Sequence, residues 1–391
     1  MLKFTINMKE LKPIVDKIST VIDKNSRIPA SRRCYFHITD DQKLRVYATD
    51  WNHFLEIECD AAHGIECGKI GIDIDDLKII TKMTGEVTVM ETTANKKSAV
   101  TVRSHGKCMT LPGHFEDGMD LPEMENADQA VLLDSSWLLE TVTKLSSFTM
   151  KNVANPLSGC ICLNTQTKQA EALDGHHAGM RRIPENASIY WEGEIKLPHY
   201  SFSVLKTILD KTPGKDVLVS RDGKYIKISG QGFTYIAWQV DGKFFDMNRA
   251  LKEAVHNAPY RITAEREEFI KIIQYASSLI KKDKTSLILH GANERLFSYL
   301  NTGQYEILDE ISTGKAELPE KFFIGFSPCQ LLNILKVLDT KTIELHVGNE
   351  KSIAYVKERE YDFLICPTCI IPEDKKAAEK LILTGFTCDS V

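Results

Sequence analysis

No apolar run in this sequence approaches the roughly 20 residues needed to cross a bilayer as a helix, which argues against membrane-spanning helices. The opening Met1-Leu2-Lys3-Phe4-Thr5 lacks the charged-then-apolar order of a secretion signal, so a cytoplasmic protein is expected. The short arrays that mark common catalysts are also missing. The 11 histidines form no His-Glu-x-x-His array, and there is neither a Gly-x-Ser-x-Gly elbow nor a glycine-rich phosphate loop ending in Lys-Ser/Thr. Asp174 stands near His176 with no nucleophile motif and reads as part of a turn. The expectation is a non-catalytic protein with no cofactor, no metal and no membrane partner.

A strong excess of positive charge is lacking too. The formal net charge of -5 excludes a protein that coats nucleic acid with its whole surface, but it leaves room for a basic stripe on an acidic body. The 10 cysteines are scattered through 391 residues and are expected to be reduced and mostly buried, not a disulfide framework. Cys366-Pro367-Thr368-Cys369 has redox or zinc spacing, and a thiol-disulfide oxidoreductase is the alternative it offers. The pair follows an apolar strand near the C-terminus instead of opening a helix, and zinc would need two further ligands. Cys160 and Cys162 fall in an apolar strand pattern.

What is present is repetition. Phe4-Thr5-Ile6 reads as a strand, followed by a helical stripe of Leu11, Ile14, Val15, Ile18, Val21 and Ile22. The same order returns at Val131-Leu132-Leu133, with Ser135 or Ser136 as N-cap before Leu138, Leu139, Val142 and Leu145. It returns again at Tyr260-Arg261-Ile262, before Phe269, Ile272, Ile273, Ala276 and Leu279. A second phrase of strand, helix and alternating strand begins near Ile70, Ile195 and Phe322, and its last strands are Val87–Val89, Val217–Val219 and Ile343–Val347. This predicts an α+β chain of three tandem similar domains, 1–127, 128–254 and 255–371, with a C-terminal extension at 372–391. Each domain would pack two helices on a mainly antiparallel sheet.

Lysines decorate these helices. Lys12, Lys144 and Lys271 are expected at matching points of the first helix in each unit, and Lys78, Lys206 and Lys336 at matching points of the second. Lys82, together with Lys24, Arg27 and Lys151 in loops, extends a basic surface suited to sequence-independent contact with phosphates.

The order of motifs resembles the bacterial DNA polymerase III beta subunits, the DNA sliding clamp family, of which this would be a divergent member. Ala48-Thr49-Asp50, Leu111-Pro112-Gly113 and Asp120-Leu121-Pro122 carry the likeness in the first domain. Leu157-Ser158-Gly159, Leu173-Asp174-Gly175-His176-His177 and Val240 to Asp246 carry it in the second, and Ile324-Gly325-Phe326-Ser327 and Leu364-Ile365-Cys366-Pro367 in the third. The resemblance implies a clamp fold in which a head-to-tail homodimer forms a six-domain ring around double-stranded DNA. It also implies docking of DNA polymerase and the clamp loader through short apolar peptides. A clamp of a mobile element serving a specialised polymerase is the second form of the same resemblance.

Carried over position by position, the resemblance implies a peptide pocket lined by Leu157, Leu173, Gly175, His176, His177, Ala178, Phe245, Ala250, Leu364, Cys366 and Pro367. Phe245, His177 and Cys366 replace the family's proline, arginine and methionine. Met109 and Leu111 would meet Ser278 and Leu279 of a second copy at the dimer interface. Asp75 and Asp76 stand where relatives often carry basic residues. The extension from Ile371 reads as a short helix at 373–383, which would cover the pocket, add a contact surface or fray.

Overall fold

Lys3–Asn7 alternates buried and half-buried residues, as a strand covered on one face does, and runs directly into a helix, α1 (Met8–Ile18). Met8, Leu11, Val15 and Ile18 recur at helical spacing and are all buried, and the Asn7 side chain caps the first turn by accepting the Lys9 amide at 2.9 Å. Among the described residues the other α-helices are α2 (Ile74–Ile80), α3 (Ser135–Leu145), α4 (Ser201–Leu209), α5 (Met247–Asn257), α6 (Arg266–Leu279), α7 (Pro328–Val337) and α8 (Pro372–Leu383). This computed structural model describes all residues except 95–96, 115–120, 125–128, 151–153, 211–213, 281–284, 293–294, 313–314, 320–321 and 384–391. Among the described residues no helix is long and apolar enough to cross a membrane.

The repeat is written into the strand pairing. Lys3–Asn7 pairs antiparallel with Glu86–Ala94, Gln129–Asp134 with Asp216–Arg221, and Tyr260–Glu265 with Thr342–Val347. In each case the residue just before the first helix faces the first residue of the strand after the second helix: Asn7 with Glu86, Asp134 with Asp216, Glu265 with Thr342. One pairing scheme is therefore used three times.

The chain packs as two compact units. The first comprises 1–143, 163–167 and 184–241, and the second 144–162, 168–183 and 242–391. In the first unit, a sheet of five strands runs in the order His63–Glu66, Lys3–Asn7, Glu86–Ala94, Lys97–Ser104, Lys107–Pro112. A second sheet of nine strands carries Tyr225–Gly230, Phe233–Trp238, His53–Cys59 and Leu44–Thr49 side by side. In the second unit, Gln169–Leu173, His177–Arg182, Tyr361–Ile365, Ala354–Glu358, Thr342–Val347 and Tyr260–Glu265 run side by side. A four-stranded sheet there has the order Glu306–Ile311, Arg295–Asn301, Leu287–Ala292, Phe322–Phe326. The segment expected as a second domain contributes to both units. Its strand Phe233–Trp238 is hydrogen-bonded to His53–Cys59, and its strand His177–Arg182 to Tyr361–Ile365.

The C-terminal extension forms the expected helix, and its described part is neither frayed nor laid on the predicted pocket. Ala378 of α8 has no exposed surface and packs with Ile288, Tyr299 and Phe323 of the four-stranded sheet. Leu308, Ile370, Ala377 and Leu381 border that contact. Asn301 donates to the Asp374 carboxylate at 2.9 Å, and Lys375 pairs with Glu350.

Candidate functional site

Antiparallel pairing brings together much of the predicted pocket. Leu173 lies opposite Ala178, and Ala178 opposite Leu364, so the three side chains form a row on one face of adjacent strands. Helix α5 lays Met247 and Ala254 against this row. Cys162, Met180 and Phe244 complete a buried cluster, and Leu157, Leu173, Ala250, Leu251, Ile353 and Tyr355 border it, each only partly buried. Of the predicted lining, Leu157, Leu173 and Ala250 are partly exposed at the edge of one apolar patch, and the buried Ala178 and Leu364 form its floor. Phe245 stands at 39% exposure, with its ring 5.4 Å from that of the buried Phe244. Gly175 and His176 are exposed in the turn beside the patch, and Cys366 and Pro367 are half-buried.

His177 does not belong to this patch. On a strand, neighbours point to opposite faces, and Ala178 takes the patch side. The His177 ring is buried against Phe148, with centroids 4.8 Å apart, and its Nε2 lies 3.3 Å from the Asn333 amide nitrogen. Sequence reasoning also missed Phe244, Met247, Ile353 and Tyr355. Phe244 and Phe245 are adjacent, and the sequence carried no signal to say which would turn inward.

The turn Asp174–His176 is held by one carboxylate. Asp174 Oδ1 accepts the amides of His176 and His177, each at 2.8 Å, and Oδ2 lies 2.9 Å from His177 Nδ1. Burial works against the charged form of Asp174, but the bonds from His177 and His176 outweigh it and hold its carboxyl below the usual range. The Cys366 amide donates to the His176 carbonyl at 2.8 Å and ties the last strand to this turn. Burial, assisted by the Asp174 charge, pushes the Cys366 thiol up, which suppresses the thiolate that redox exchange needs. Among the described residues no group of three or more His, Cys, Asp or Glu could hold a metal ion.

The basic residues fall into distinct environments. Lys12, Lys82, Lys271, Lys336 and Arg27 are exposed, Lys78 and Lys206 are half-buried, and Lys151 lies outside the described residues. Lys144 is turned inward at 13% side-chain exposure, with Nζ 2.6 Å from Asp339 and 4.7 Å from the centre of the Tyr361 ring. It is a structural cation, not a surface one. Lys24 pairs with Asp75 at 2.7 Å, and that hydrogen bond raises the lysine and lowers the acid, so its charge is locally matched. Nor do the three first-helix lysines stand at matching points. Counted from Asn7, Asp134 and Glu265, the equivalent strand ends, Lys12, Lys144 and Lys271 stand 5, 10 and 6 residues on (12 − 7, 144 − 134, 271 − 265).

Met109 and Leu111 lie on Lys107–Pro112, the edge strand of the five-stranded sheet. Leu111 is only 7% exposed and turns into its own unit, whereas Met109 is half-buried. At the end of α6, Ser278 is exposed and Leu279 half-buried.

No family model matches the sequence, and no curated protein matches it. Solved structures do. A DNA polymerase sliding clamp from Bacillus subtilis superposes with a TM-score of 0.84 at 18% identity, covering 95% of this chain and 100% of that one. A sliding clamp, DNA polymerase III subunit beta, from Pseudomonas aeruginosa bound to griselimycin gives 0.84 at 18%, over 94% and 100%. A DNA polymerase III beta subunit from Thermotoga maritima gives 0.80 at 18%, over 95% and 100%. At this identity the likeness is one of architecture: the chain has the fold of the bacterial DNA polymerase sliding clamps.

Proposed function

We propose that this chain is a divergent DNA polymerase III beta subunit, a non-catalytic sliding clamp that gives a polymerase processivity. The observation that carries this reading is the pairing scheme used three times, within a fold matched along almost the whole chain by sliding clamps. Three domains, 1–127, 128–254 and 255–371, would supply half of a ring, and a second copy the other half. Met109 on its edge strand and Ser278 with Leu279 at the end of α6 are the surfaces proposed to close it. Leu111 would contribute by supporting that strand from within.

A closed ring holds double-stranded DNA by topology, so its contacts can be weak. Exposed Lys12, Lys82, Lys271, Lys336 and Arg27 suit sequence-blind, salt-screened contact with phosphates. The half-buried Lys78 and Lys206 are candidates beside them. The patch of Leu157, Leu173, Ala178, Ala250 and Leu364, rimmed by Phe245, Gly175, His176, Cys366 and Pro367, suits short apolar peptides from a polymerase and a clamp loader. Such a protein would work in the cytoplasm, where a bacterial chromosome lies.

The test is topological. The chain is loaded by a clamp loader onto nicked circular DNA, which is then linearised. Release by sliding off free ends is expected; a protein that stays bound to linearised DNA with unblocked ends would overturn the ring.

A further inference from the structure

The turn at Asp174 has a counterpart in the first unit. Asp50 Oδ1 accepts the amides of Asn52 and His53 at 2.9 and 3.0 Å, and its other oxygen lies 3.4 Å from the His53 ring. The two turns share the three-residue spacing, the two amides and a histidine at the second oxygen, with His53 presenting Nε2 where His177 presents Nδ1. They differ at the left-handed position. In the second turn it is Gly175, with φ of 94°, and in the first it is Trp51, with φ of 74°. A left-handed backbone is costly for a bulky residue, and burial does not offset the cost, because Trp51 remains 43% exposed.

The ring has exposed company. Trp238, 40% exposed, donates its indole N–H to the Trp51 carbonyl at 2.8 Å, which fixes the two residues together. Tyr225 lies 4.8 Å from Trp238, and Lys224 Nζ stands 5.1 Å from the Tyr225 ring centre and 5.2 Å from that of Trp238. Tyr200 donates to the Trp238 carbonyl at 3.5 Å and packs edge-on to exposed His199.

We propose that Trp51 and Trp238 form a second docking site, which takes a short extended peptide presenting an aromatic or proline ring next to a carboxylate. The inference rests on the clamp reading, since the site is the internal copy of the turn beside the proposed peptide patch. Rigid amphipathic rings suit an apolar ring on a partner. Charge complementarity supplies the carboxylate. Asp50 and Asp222 are taken up by amides of their own turns, Asp222 by those of Lys224 and Tyr225, whereas Lys224 is an exposed cation lying over the Tyr225 and Trp238 rings. A nucleic-acid strand fits less well, because it needs cations along a track, whereas the cation packed on these rings is Lys224.

Peptides of about ten residues displayed on phage are selected on the full chain, and the enriched sequences are titrated by fluorescence anisotropy. A class pairing a ring with Asp or Glu is expected, weakened about tenfold or more by Trp51→Gly and by Lys224→Glu and unaffected by Phe245→Ala. Trp51→Gly suits the left-handed backbone, so an unchanged or raised Tm separates lost binding from lost folding. Enrichment of no peptide sensitive to Trp51→Gly overturns the proposal. So does labelled oligo(dT) that binds the full chain and is lost on Trp51→Gly. A protein that fails the linearisation test sinks the clamp reading whatever the peptides do, and Trp51-insensitive peptides on a protein that passes it sink only this site.

Discussion

Lys144 Nζ lies 2.6 Å from the Asp339 carboxylate and over the face of Tyr361, so a lysine whose helical position suggested a DNA contact is committed within its own unit. Lys144→Met is expected to lower stability by about 1–2 kcal/mol, because it removes both an ion pair and a cation–π contact. The salt dependence of duplex binding should not change. Lys271→Ala and Lys336→Ala should each instead reduce the slope of log K against log salt by about 0.9, with little change in Tm. Duplex titrations over a salt series, with thermal melts of the same variants, check both halves.

Asp174 predicts an acid limb. Its carboxyl is held below the usual range in the folded chain, so its contribution is complete above the unfolded value of about 3.9 and is lost as pH falls through the folded value. Asp174→Asn keeps an oxygen for the two backbone amides but loses the charge facing His177. It should cost about 1 kcal/mol at neutral pH, and the gap to the parent chain should narrow as pH falls below the unfolded value of about 3.9 and close once it passes the folded one. Urea midpoints across that range provide the measurement.

Local patterning made most elements legible. The alternation of Phe4 and Ile6 and the stripe from Leu11 to Ile18 follow from the periods of strand and helix alone, and the structure places them as those periods require. Partners distant in sequence were not legible. His177 and Ala178 are neighbours in the chain, and only the register Ala178 with Leu364 shows which of them faces the apolar patch. Lys144 finds Asp339 across 195 residues, and Trp51 finds Trp238 across 187, so no window of sequence contains either pair. The expected three-domain division follows the repeat, whereas the ladders Phe233 with Ile57 and Ala178 with Leu364 bind neighbouring repeats by backbone hydrogen bonds that carry no side-chain signature.

The terminal helix should act on stability and not on the peptide patch. Ending the chain at Ile371 would uncover Ile288, Tyr299 and Phe323, which α8 now covers through Ala378 and its neighbours. A loss of about 3 kcal/mol is expected from the apolar area returned to water. Affinity for a peptide bound at Leu157 and Leu173 should be unchanged. Ala378→Glu, which forces a charge into the same contact, should reproduce the stability loss in the full-length chain.

Beneath that helix, His290 is 5% exposed, stacks on Phe323 at 4.0 Å and lies 2.6 Å from the Phe322 carbonyl through Nδ1. Burial holds the imidazole below its usual value, although that carbonyl pulls the other way. The unfolded chain therefore takes up this proton first. Stability should decline as pH falls below about 6.5, until the folded value is reached. His290→Gln should flatten the denaturant midpoint over that window, and an unchanged slope would assign the dependence to other groups.

The copied turns predict opposite responses to exchange at one position. At Trp51, glycine removes the cost of a left-handed backbone, about 1–3 kcal/mol, and loses about 1 kcal/mol through the freer unfolded chain. Trp51→Gly is therefore expected to gain about 1 kcal/mol, less whatever the ring contributes beside Trp238. At Gly175 a Cβ would meet nothing within 4 Å, so Gly175→Ala is limited by its φ of 94° alone. It should lose about 1–2 kcal/mol with no steric clash. Denaturant midpoints of the two single variants and the double variant test this. The two sites lie in different turns, so their effects should add to within about 0.5 kcal/mol.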